Sequence, residues 1–299
     1  MRLTRDEVIQ AASVIGGRVR RTPVVEAAPG IWLKLECLQH SGSFKVRGAF
    51  TTMLSADVPA AGVIAASGGN HGLAVAYAAR ALGLRAEIFV PEVCAPVKIA
   101  GLRALDAEVV VTGAIYAEAL EASRKRAAET GALELHAYDQ PGVVAGQGTL
   151  ALELEEQIPG LDTIVVAAGG GGLAGGVRAA FGGDVVVVEP ELIPTIHEAL
   201  KAREPVQVDV SGIGADALGA SRAGEIALDI LQDRVTSVLV TDEAITDARR
   251  TLWRDHRIAA EHAGAAAFAA LLSGAWKPAR DTTTAIVVCG SNTDPGTLI

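Results

Sequence analysis

The sequence is poor in aromatic residues, in cysteine and in positive charge. Of its 299 residues 4% are aromatic, and the formal net charge is -9 at pH 7. A surface that binds nucleic acid needs basic side chains to meet the phosphates, and it commonly uses aromatic rings to stack on the bases. The composition therefore predicts no nucleic-acid partner.

The cysteines are too few and too scattered for a disulfide framework. Cys37, Cys94 and Cys289 are an odd number and lack the paired spacing of metal ligands. Disulfides belong mainly to oxidising compartments, and structural zinc sites need closely spaced ligand pairs. We therefore predict no metal site, and three reduced thiols indicate a cytoplasmic protein.

Long hydrophobic runs are also missing. A membrane-spanning helix needs about 18 or more consecutive apolar residues. The longest uncharged stretches are rich in Gly and Ala, and they are bounded by Asp162 and Arg178 and by His262 and Lys277. We interpret them as buried core elements and expect no membrane association.

The amino-terminal segment also argues for the cytoplasm. It mixes acidic and basic residues, whereas a signal peptide would show a plain apolar block. Thr4 and Glu7 have the spacing of a helix capping box, in which the two side chains bond each other's backbone N–H groups. This spacing predicts that a helix begins after Thr4.

Short β-branched runs alternate with Ala-rich segments along the chain. The predicted strands are 31–36, 63–66, 86–90, 108–111, 163–167, 184–188, 235–240 and 285–288. The predicted helices are 73–82, 116–128, 242–253 and 263–272. This alternation predicts an α/β fold with mostly parallel strands. Runs such as 185–188 have no polar alternation, which indicates central strands covered by helices on both faces.

The β-α units form two consecutive sets, one between about 50 and 140 and one after 160. No low-complexity linker separates the two sets, so we expect the two domains to be interwoven. We assign 50–140 to a smaller α/β domain, and 1–49 plus 141–299 to a larger α/β domain. A crevice between two such sheets is a common ligand site.

Four turns are rich in Gly, Ser and Asn. They are residues 41–48, 67–72, 169–173 and 289–292. Small residues at strand ends let backbone N–H groups approach a ligand closely, and a following helix favours an anion at its N-terminus. One such turn is weak evidence, but four together indicate a ligand site.

Lys45 lies in the first of these turns, directly after Phe44, and it is one of only six lysines in the chain. A lysine that apolar neighbours desolvate loses its proton more easily, and it can then form a Schiff base with a carbonyl group. Lys45 is therefore a candidate for holding an aldehyde cofactor. The alternative interpretation is an ordinary surface lysine.

These segments, taken in order, resemble the fold-type-II pyridoxal-phosphate threonine/serine dehydratases. The lysine signature of that family is similar to SFKVRGA at 43–49, and its second loop is similar to SGGNH at 67–71. Comparable segments follow at 138–141, 145–149, 169–173, 261–264 and 289–292. The resemblance covers nearly the whole chain. It implies two interwoven open-sheet domains of the tryptophan-synthase β-like type, pyridoxal 5'-phosphate as cofactor, and a homodimer.

The resemblance also implies roles toward the cofactor. Lys45 would hold it as a Schiff base and remove the α-proton of the substrate. Phe44 would pack against the ring, Asn70 would bond the ring hydroxyl, and Cys289 would face the pyridine nitrogen as a weak neutral donor. Glu261 would either contact the cofactor or cap a helix. The phosphate would be bound by backbone N–H groups of Gly169, Gly170, Gly171, Gly172 and Leu173.

The implied partner is a small amino-acid substrate, and the implied reaction eliminates water and ammonia from L-threonine or L-serine to give a 2-oxo acid. Ser67 and the N–H groups that follow it would hold the substrate carboxylate, and Tyr138 would lie near the substrate. The substrate-binding residues are then Ser67, Gly68, Asn70, His71 and Tyr138.

At three positions the sequence differs from related families, and these differences narrow the reaction that the resemblance implies. Gly68 stands where serine racemases of the family carry a serine, which disfavours racemisation. The sixth residue after Glu189 is Thr195, where cation-dependent relatives have an aspartate, so a bound metal is in doubt. Val46 follows Lys45 where cysteine-synthase-like relatives have an acid, which favours elimination over β-replacement.

Other interpretations stay open at this point. Residues 170–175 fit G-x-G-x-x-G between two strands, and Glu189 ends the second strand, which is the fingerprint of an NAD-dependent oxidoreductase. That class has no use for a Schiff-base lysine at position 45. A binding protein without turnover is another possibility, as is a related pyridoxal-phosphate enzyme that acts on another β-hydroxy amino acid or racemises serine.

Overall fold

In the computed structural model, which describes residues 3–298, the strands form two sheets. The six-stranded sheet has the order β1 (Val24–Ala28), β2 (Ile31–Lys34), β10 (Thr284–Val287), β7 (Thr163–Ala167), β8 (Asp184–Pro190) and β9 (Thr236–Val240). The four-stranded sheet has the order β5 (Glu108–Val111), β4 (Ala86–Val90), β3 (Val63–Ala66) and β6 (Leu133–Glu134). Strand β1 pairs antiparallel with β2, and the other pairs in the described residues are parallel.

Helices connect and cover these strands. They are α1 (Arg5–Val14), α2 (Lys45–Leu54), α3 (Asn70–Leu82), α4 (Pro96–Arg103), α5 (Tyr116–Thr130), α6 (Pro141–Gln157), α7 (Gly172–Ala180), α8 (Thr195–Ala202), α9 (Ala215–Leu218), α10 (Glu225–Leu231), α11 (Asp242–His256) and α12 (His262–Leu272). Parallel strands need such crossover connections. The α/β fold predicted from the sequence is confirmed. None of the helices within the described range is long and apolar enough to span a bilayer.

Each predicted strand is present, with ends that differ by a few residues, and so are the four predicted helices. The capping box is confirmed too, because the Glu7 N–H donates to Thr4 Oγ1 and the Thr4 N–H donates to the Glu7 carboxylate. Strands β1 and β6 were not predicted. Strand β1 is an edge strand with a half-exposed, irregular burial pattern, and β6 has only two residues.

The interior of the larger sheet explains the Val-rich runs. Val185, Val186, Val187 and Val188 of β8 are each no more than 2% exposed. Helices pack on both faces of a parallel sheet, so its central strands have no solvent face that would favour polar residues. Burial on both faces is what the missing polar alternation predicted.

Helix α2 joins the two halves of the molecule. Its residues Val46 and Phe50 belong to the apolar core of the four-stranded sheet, whereas Phe44, just before it, belongs to the core of the larger sheet. The predicted boundary at residue 50 falls inside this helix. The division into 50–140 and 1–49 plus 141–299 stays a prediction.

A buried charge cluster fixes the first turn of α2. The fully buried Arg47 guanidinium donates to Glu36 at 2.8 Å and to Glu153 of α6 at 2.7 Å. Lys34 of β2 donates to the same Glu153 at 2.6 Å. Burial alone would raise the pKa of Glu36, but the charges of Arg47 and Lys34 outweigh it and hold that pKa below its usual value. The cluster therefore ties Lys45, two residues before Arg47, to the larger sheet.

Replacing Arg47 by Met should lower the free energy of unfolding by about 3–5 kcal/mol, because the fully buried Glu36 carboxylate would lose the cation that donates to it. Arg21→Met is the matched control, since Arg21 and Glu156 form an ion pair with side chains 52% and 65% exposed. That pair should contribute less than about 1 kcal/mol. Urea unfolding followed by circular dichroism measures both, and equal losses would contradict the role given to Arg47.

Candidate active site

One cavity of about 690 Å³ lies at the carboxyl ends of strands from both sheets. The turns that follow β3, β4, β7 and β10 line it, which is where open α/β sheets bind ligands. Every site residue named from the sequence lines this cavity: Phe44, Lys45, Ser67, Gly68, Asn70, His71, Tyr138, Gly169, Gly170, Gly171, Gly172, Leu173 and Cys289. Their individual roles stay predictions.

Lys45 is the first residue of α2, and its amine lies inside the cavity. Nζ donates to the Ala137 carbonyl at 2.7 Å and is 5.2 Å from the centre of the Phe44 ring. Desolvation lowers the pKa of Lys45 to about 8, although Cys289 and Glu261 act in the opposite direction. About a tenth of the amine is therefore unprotonated at pH 7, which is the form that a nucleophile or base requires.

The glycine loop, residues 169–173, leads from β7 into α7. Its N–H groups have no acceptor among residues 3–298. A Cβ atom added at Gly170 would lie 2.4 Å from three carbons of the Tyr138 ring, and Gly171 has a φ of +93°. Only glycine allows this backbone conformation and this close approach. Unpaired N–H groups at a helix start suit a bound phosphate.

Tyr138 packs against the glycine loop. Its ring packs on Gly170, and its hydroxyl donates to the Arg222 carbonyl at 3.2 Å. The next residue, Asp139, accepts the N–H groups of Glu225 and Ile226 at the start of α10, at 3.1 and 3.0 Å. Residues 137–139 therefore connect the Lys45 amine, the glycine loop and α10.

Asn70 and Glu261 meet at the cavity wall. The Asn70 Nδ2 group donates to Glu261 Oε1 at 2.6 Å, and Asn70 Oδ1 accepts from Asn292 Nδ2 at 2.7 Å. Glu261 precedes α12, but its side chain makes no capping bond to that helix. Burial raises the pKa of Glu261 to about 7. Of the two roles considered for Glu261, the geometry favours the one in the cavity.

Cys289 follows β10 and is buried. Its thiol donates to the Ala263 carbonyl at 3.4 Å, and burial raises its pKa well above the usual value. The side chain is therefore a neutral thiol at physiological pH, and its one hydrogen is directed at the Ala263 carbonyl.

The turn at 67–71 presents backbone N–H groups to the cavity at the start of α3. Ser67 Oγ accepts the Gly69 N–H at 3.2 Å, and the N–H groups of Gly68, Asn70 and His71 have no acceptor in the described part of the chain. The His71 ring is turned away, since its Nε2 lies 2.9 Å from the Leu135 carbonyl oxygen. Burial lowers the pKa of His71 to about 3, so the ring is neutral.

Several cavity residues were not found from the sequence, among them His136, Cys94, Lys98 and Asp216. Lys98 of α4 and Asp216 of α9 form an ion pair across the cavity. They are 118 residues apart in sequence, so no local sequence pattern predicts this ion pair. His136 had a usable signal, because it lies two residues before Tyr138 and the segment 138–141 that the sequence analysis named.

Glu189 and Thr195 are the two positions at which the sequence was compared with cation-dependent relatives. Both side chains form hydrogen bonds to backbone groups of the protein. Glu189 accepts the N–H groups of Ile196 and His197 at 2.7 and 2.8 Å. The Thr195 hydroxyl donates to the Ala220 carbonyl at 2.6 Å. Within residues 3–298, no group of three or more His, Cys, Asp or Glu side chains is arranged to hold a metal ion.

Comparison with known proteins agrees with this geometry. The sequence model of a family described as "Pyridoxal-phosphate dependent enzyme" matches residues 15–290. An L-threonine ammonia-lyase of Thermotoga maritima is 34% identical, over 98% of this chain and 76% of that protein. Among solved structures, a threonine deaminase from T.th. has a TM-score of 0.89 at 34% identity, covering 97% of this chain and 99% of that one. Maize serine racemase has a TM-score of 0.94 at 30% identity, covering 100% and 96%.

The reactivity of the Lys45 amine should rise steeply with pH in the protein freed of any carbonyl ligand. Below pH 8 the amine is mostly protonated and unreactive, and above pH 8 the nucleophilic form dominates, because the pKa is about 8. Competitive labelling with trace acetic anhydride, read by peptide mass spectrometry, measures this midpoint. Lys201, whose side chain is 63% exposed, is the internal reference. A Lys45 midpoint no lower than that of Lys201 would contradict the desolvation argument.

Proposed function

Because the chain belongs to the family of pyridoxal-phosphate-dependent enzymes, we propose that it eliminates water and ammonia from L-threonine or L-serine, leaving a 2-oxo acid. One observation carries the proposal. The Lys45 amine and a glycine loop with unpaired N–H groups open into the same cavity. The kinship to the L-threonine ammonia-lyase of Thermotoga maritima points to the same reaction class.

The residues of the cavity fit pyridoxal 5'-phosphate. Lys45 would hold the aldehyde carbon, and Gly169–Leu173 would bind the phosphate. Asn70 has one amide hydrogen left for the ring hydroxyl, since its other one serves Glu261. Neutral Cys289 would face the ring nitrogen, and Phe44 would pack on the ring. When bound, the cofactor supplies a reactive carbonyl and a ring that takes up negative charge from the substrate α-carbon.

Lys45 is the group that moves the proton. The Lys45 amine would take up the α-proton in its unprotonated form, of which about a tenth is present at pH 7, because desolvation keeps its pKa near 8. The Ala137 carbonyl, 2.7 Å from Nζ, holds this amine in one direction. A base with a pKa close to the working pH is effective in both accepting and returning a proton.

The first turn of α3 binds the substrate carboxylate in this proposal. Three unpaired N–H groups, those of Gly68, Asn70 and His71, converge at the helix N-terminus, where the helix dipole favours an anion. The Ser67 hydroxyl hydrogen adds a fourth donor. Tyr138 would border the substrate while it supports the glycine loop.

Elimination is favoured over racemisation by the surroundings of Gly68. A Cβ atom at Gly68 would lie 2.5 Å from Cys94 Sγ, so a serine at this position would require Cys94 to move. The face of the cofactor ring opposite Lys45 would therefore lack the serine hydroxyl group that racemisation would use. Maize serine racemase nevertheless shares the fold.

The dinucleotide interpretation is disfavoured by Glu189. The acid that would bind a ribose hydroxyl accepts two backbone N–H groups of α8 instead. The loop that fits G-x-G-x-x-G is better explained as a site for a single phosphate, which the family match supports.

Threonine and serine differ by one methyl group, which an apolar pocket distinguishes by only about 1–3 kcal/mol. Activity on serine, the homodimer and the cytoplasmic location stay predictions.

The test is a visible absorption spectrum of the purified protein before and after addition of L-threonine and L-serine, with 2-oxo acid assayed in the same sample. We expect a yellow protein whose absorption band shifts with substrate and which releases 2-oxo acid. Lys45→Ala should lose both signals, and Lys201→Ala, changed at an exposed lysine, should keep them. A colourless protein that binds a nicotinamide cofactor instead would overturn the proposal.

Gly170→Ala should weaken cofactor binding about tenfold or more, because the added methyl group would push the Tyr138 ring and the glycine loop apart. Gly182→Ala is the matched control, since a Cβ atom there meets nothing within 4 Å. Titration of the cofactor-free protein with pyridoxal 5'-phosphate, followed by absorbance, measures both variants. If Gly170→Ala binds as tightly as Gly182→Ala, the loop is not the phosphate site.

A further inference from the structure

His136 is a cavity residue with no role so far, and its ring is held in one protonation form. Nδ1 accepts the backbone N–H groups of Tyr138 and Asp139, at 3.3 and 2.9 Å. A ring nitrogen that accepts hydrogen bonds carries no proton, so this pattern assigns the proton of the neutral ring to Nε2. Nε2 lies on the opposite edge of the ring from this turn.

The ring is also fixed in orientation. It packs edge-on against the Tyr138 ring, with centroids 4.7 Å apart and planes at 82°. The His136 backbone N–H donates to Gln140 Oε1 at 3.0 Å, and Gln140 Nε2 donates to the Glu134 carbonyl at 3.4 Å. Turning the ring would break the two bonds to Nδ1. Burial is the main cause that lowers the pKa of His136, so the ring is neutral near pH 7.

The Nε2–H group has no acceptor among the residues that the structure describes. His136 lines the same cavity as Lys45 and His71. A rigid donor on a cavity wall without a protein acceptor is a group positioned for a ligand, because few polar groups in a binding pocket set the ligand's orientation.

The location of His136 identifies which part of a ligand it meets. The His71 ring bonds the carbonyl of Leu135, the residue directly before His136, so His136 lies next to the first turn of α3. That turn holds the unpaired N–H groups of Gly68, Asn70 and His71. A neutral N–H donor beside three others completes a site for one anion, and bonds to an ionised acceptor are stronger than those to neutral ones.

We propose that His136 donates its Nε2–H to the α-carboxylate of the amino-acid substrate. The inference rests on the proposed function for the identity of the ligand. The other imidazole and amine groups of the cavity already have protein partners. The His71 ring is bonded to Leu135, Lys98 is paired with Asp216, and Lys45 donates to the Ala137 carbonyl.

Two variants separate this role from support of the turn. His136→Asn keeps an acceptor at the position of Nδ1, and so keeps the turn, but has no donor at the position of Nε2. His136→Gln places an amide N–H near the position of Nε2. If His136 only stabilised the turn, Asn would be the better replacement.

The experiment measures equilibrium binding of L-alanine and L-alaninamide to the holoenzyme by the change in its visible spectrum. L-Alanine has the α-carboxylate and no leaving group, and L-alaninamide replaces the charge with a neutral amide. We expect His136→Asn to weaken L-alanine binding about 10- to 100-fold and L-alaninamide binding less than about threefold. His136→Gln should bind L-alanine within about fivefold of the unchanged enzyme.

Equal losses for both ligands in His136→Asn, no loss for L-alanine, or a Gln variant as weak as the Asn variant would overturn the inference. Absence of L-alanine binding to the unchanged holoenzyme would overturn it as well. Because L-alanine binding needs no elimination, an enzyme that binds it with the expected pattern but forms no 2-oxo acid from threonine would contradict the proposed function and leave the role of His136 intact.

Discussion

The site depends on the desolvation of one amine. Lys45 can act as a nucleophile and a base only where burial keeps its pKa near 8. Cys289 and Glu261 act in the opposite direction, but burial of the amine outweighs both and leaves the pKa lowered. Arg47 holds the first turn of α2 in place through buried carboxylates that lie on the side of the larger sheet.

In our account, backbone N–H groups explain how an acidic chain, with a net charge of -9, would hold a phosphate and a carboxylate. Helices α7 and α3 both begin at the cavity, and both offer N–H groups without acceptors in the described residues. These backbone N–H groups are neutral. They therefore add no positive charge that would repel the protonated Lys45 amine or attract unrelated anions. In our account, the two helix starts would hold the cofactor phosphate and the substrate carboxylate in the cavity that contains this amine.

The sequence predicted the elements whose residues carry a local pattern. Buried parallel strands have uninterrupted Val-rich runs, and the turns that approach a ligand need glycine, so both were visible along the chain. Strand β6 has two residues and depends on its pairing with β3, which leaves no pattern. The ion pair of Lys98 and Asp216 joins two helices from opposite sides of the cavity, and only the folded structure brings it together. The tautomer of His136 likewise follows from bonds that a sequence does not show.

The most direct measurement of the central claim is the location of the covalently held cofactor. The purified protein would be reduced with borohydride, digested and analysed by peptide mass spectrometry, so that the modified residue is identified among the six lysines. Our account predicts a pyridoxyl phosphate group on Lys45 and none on the other five. Attachment at another lysine, or no attachment in a protein saturated with the cofactor, would contradict it.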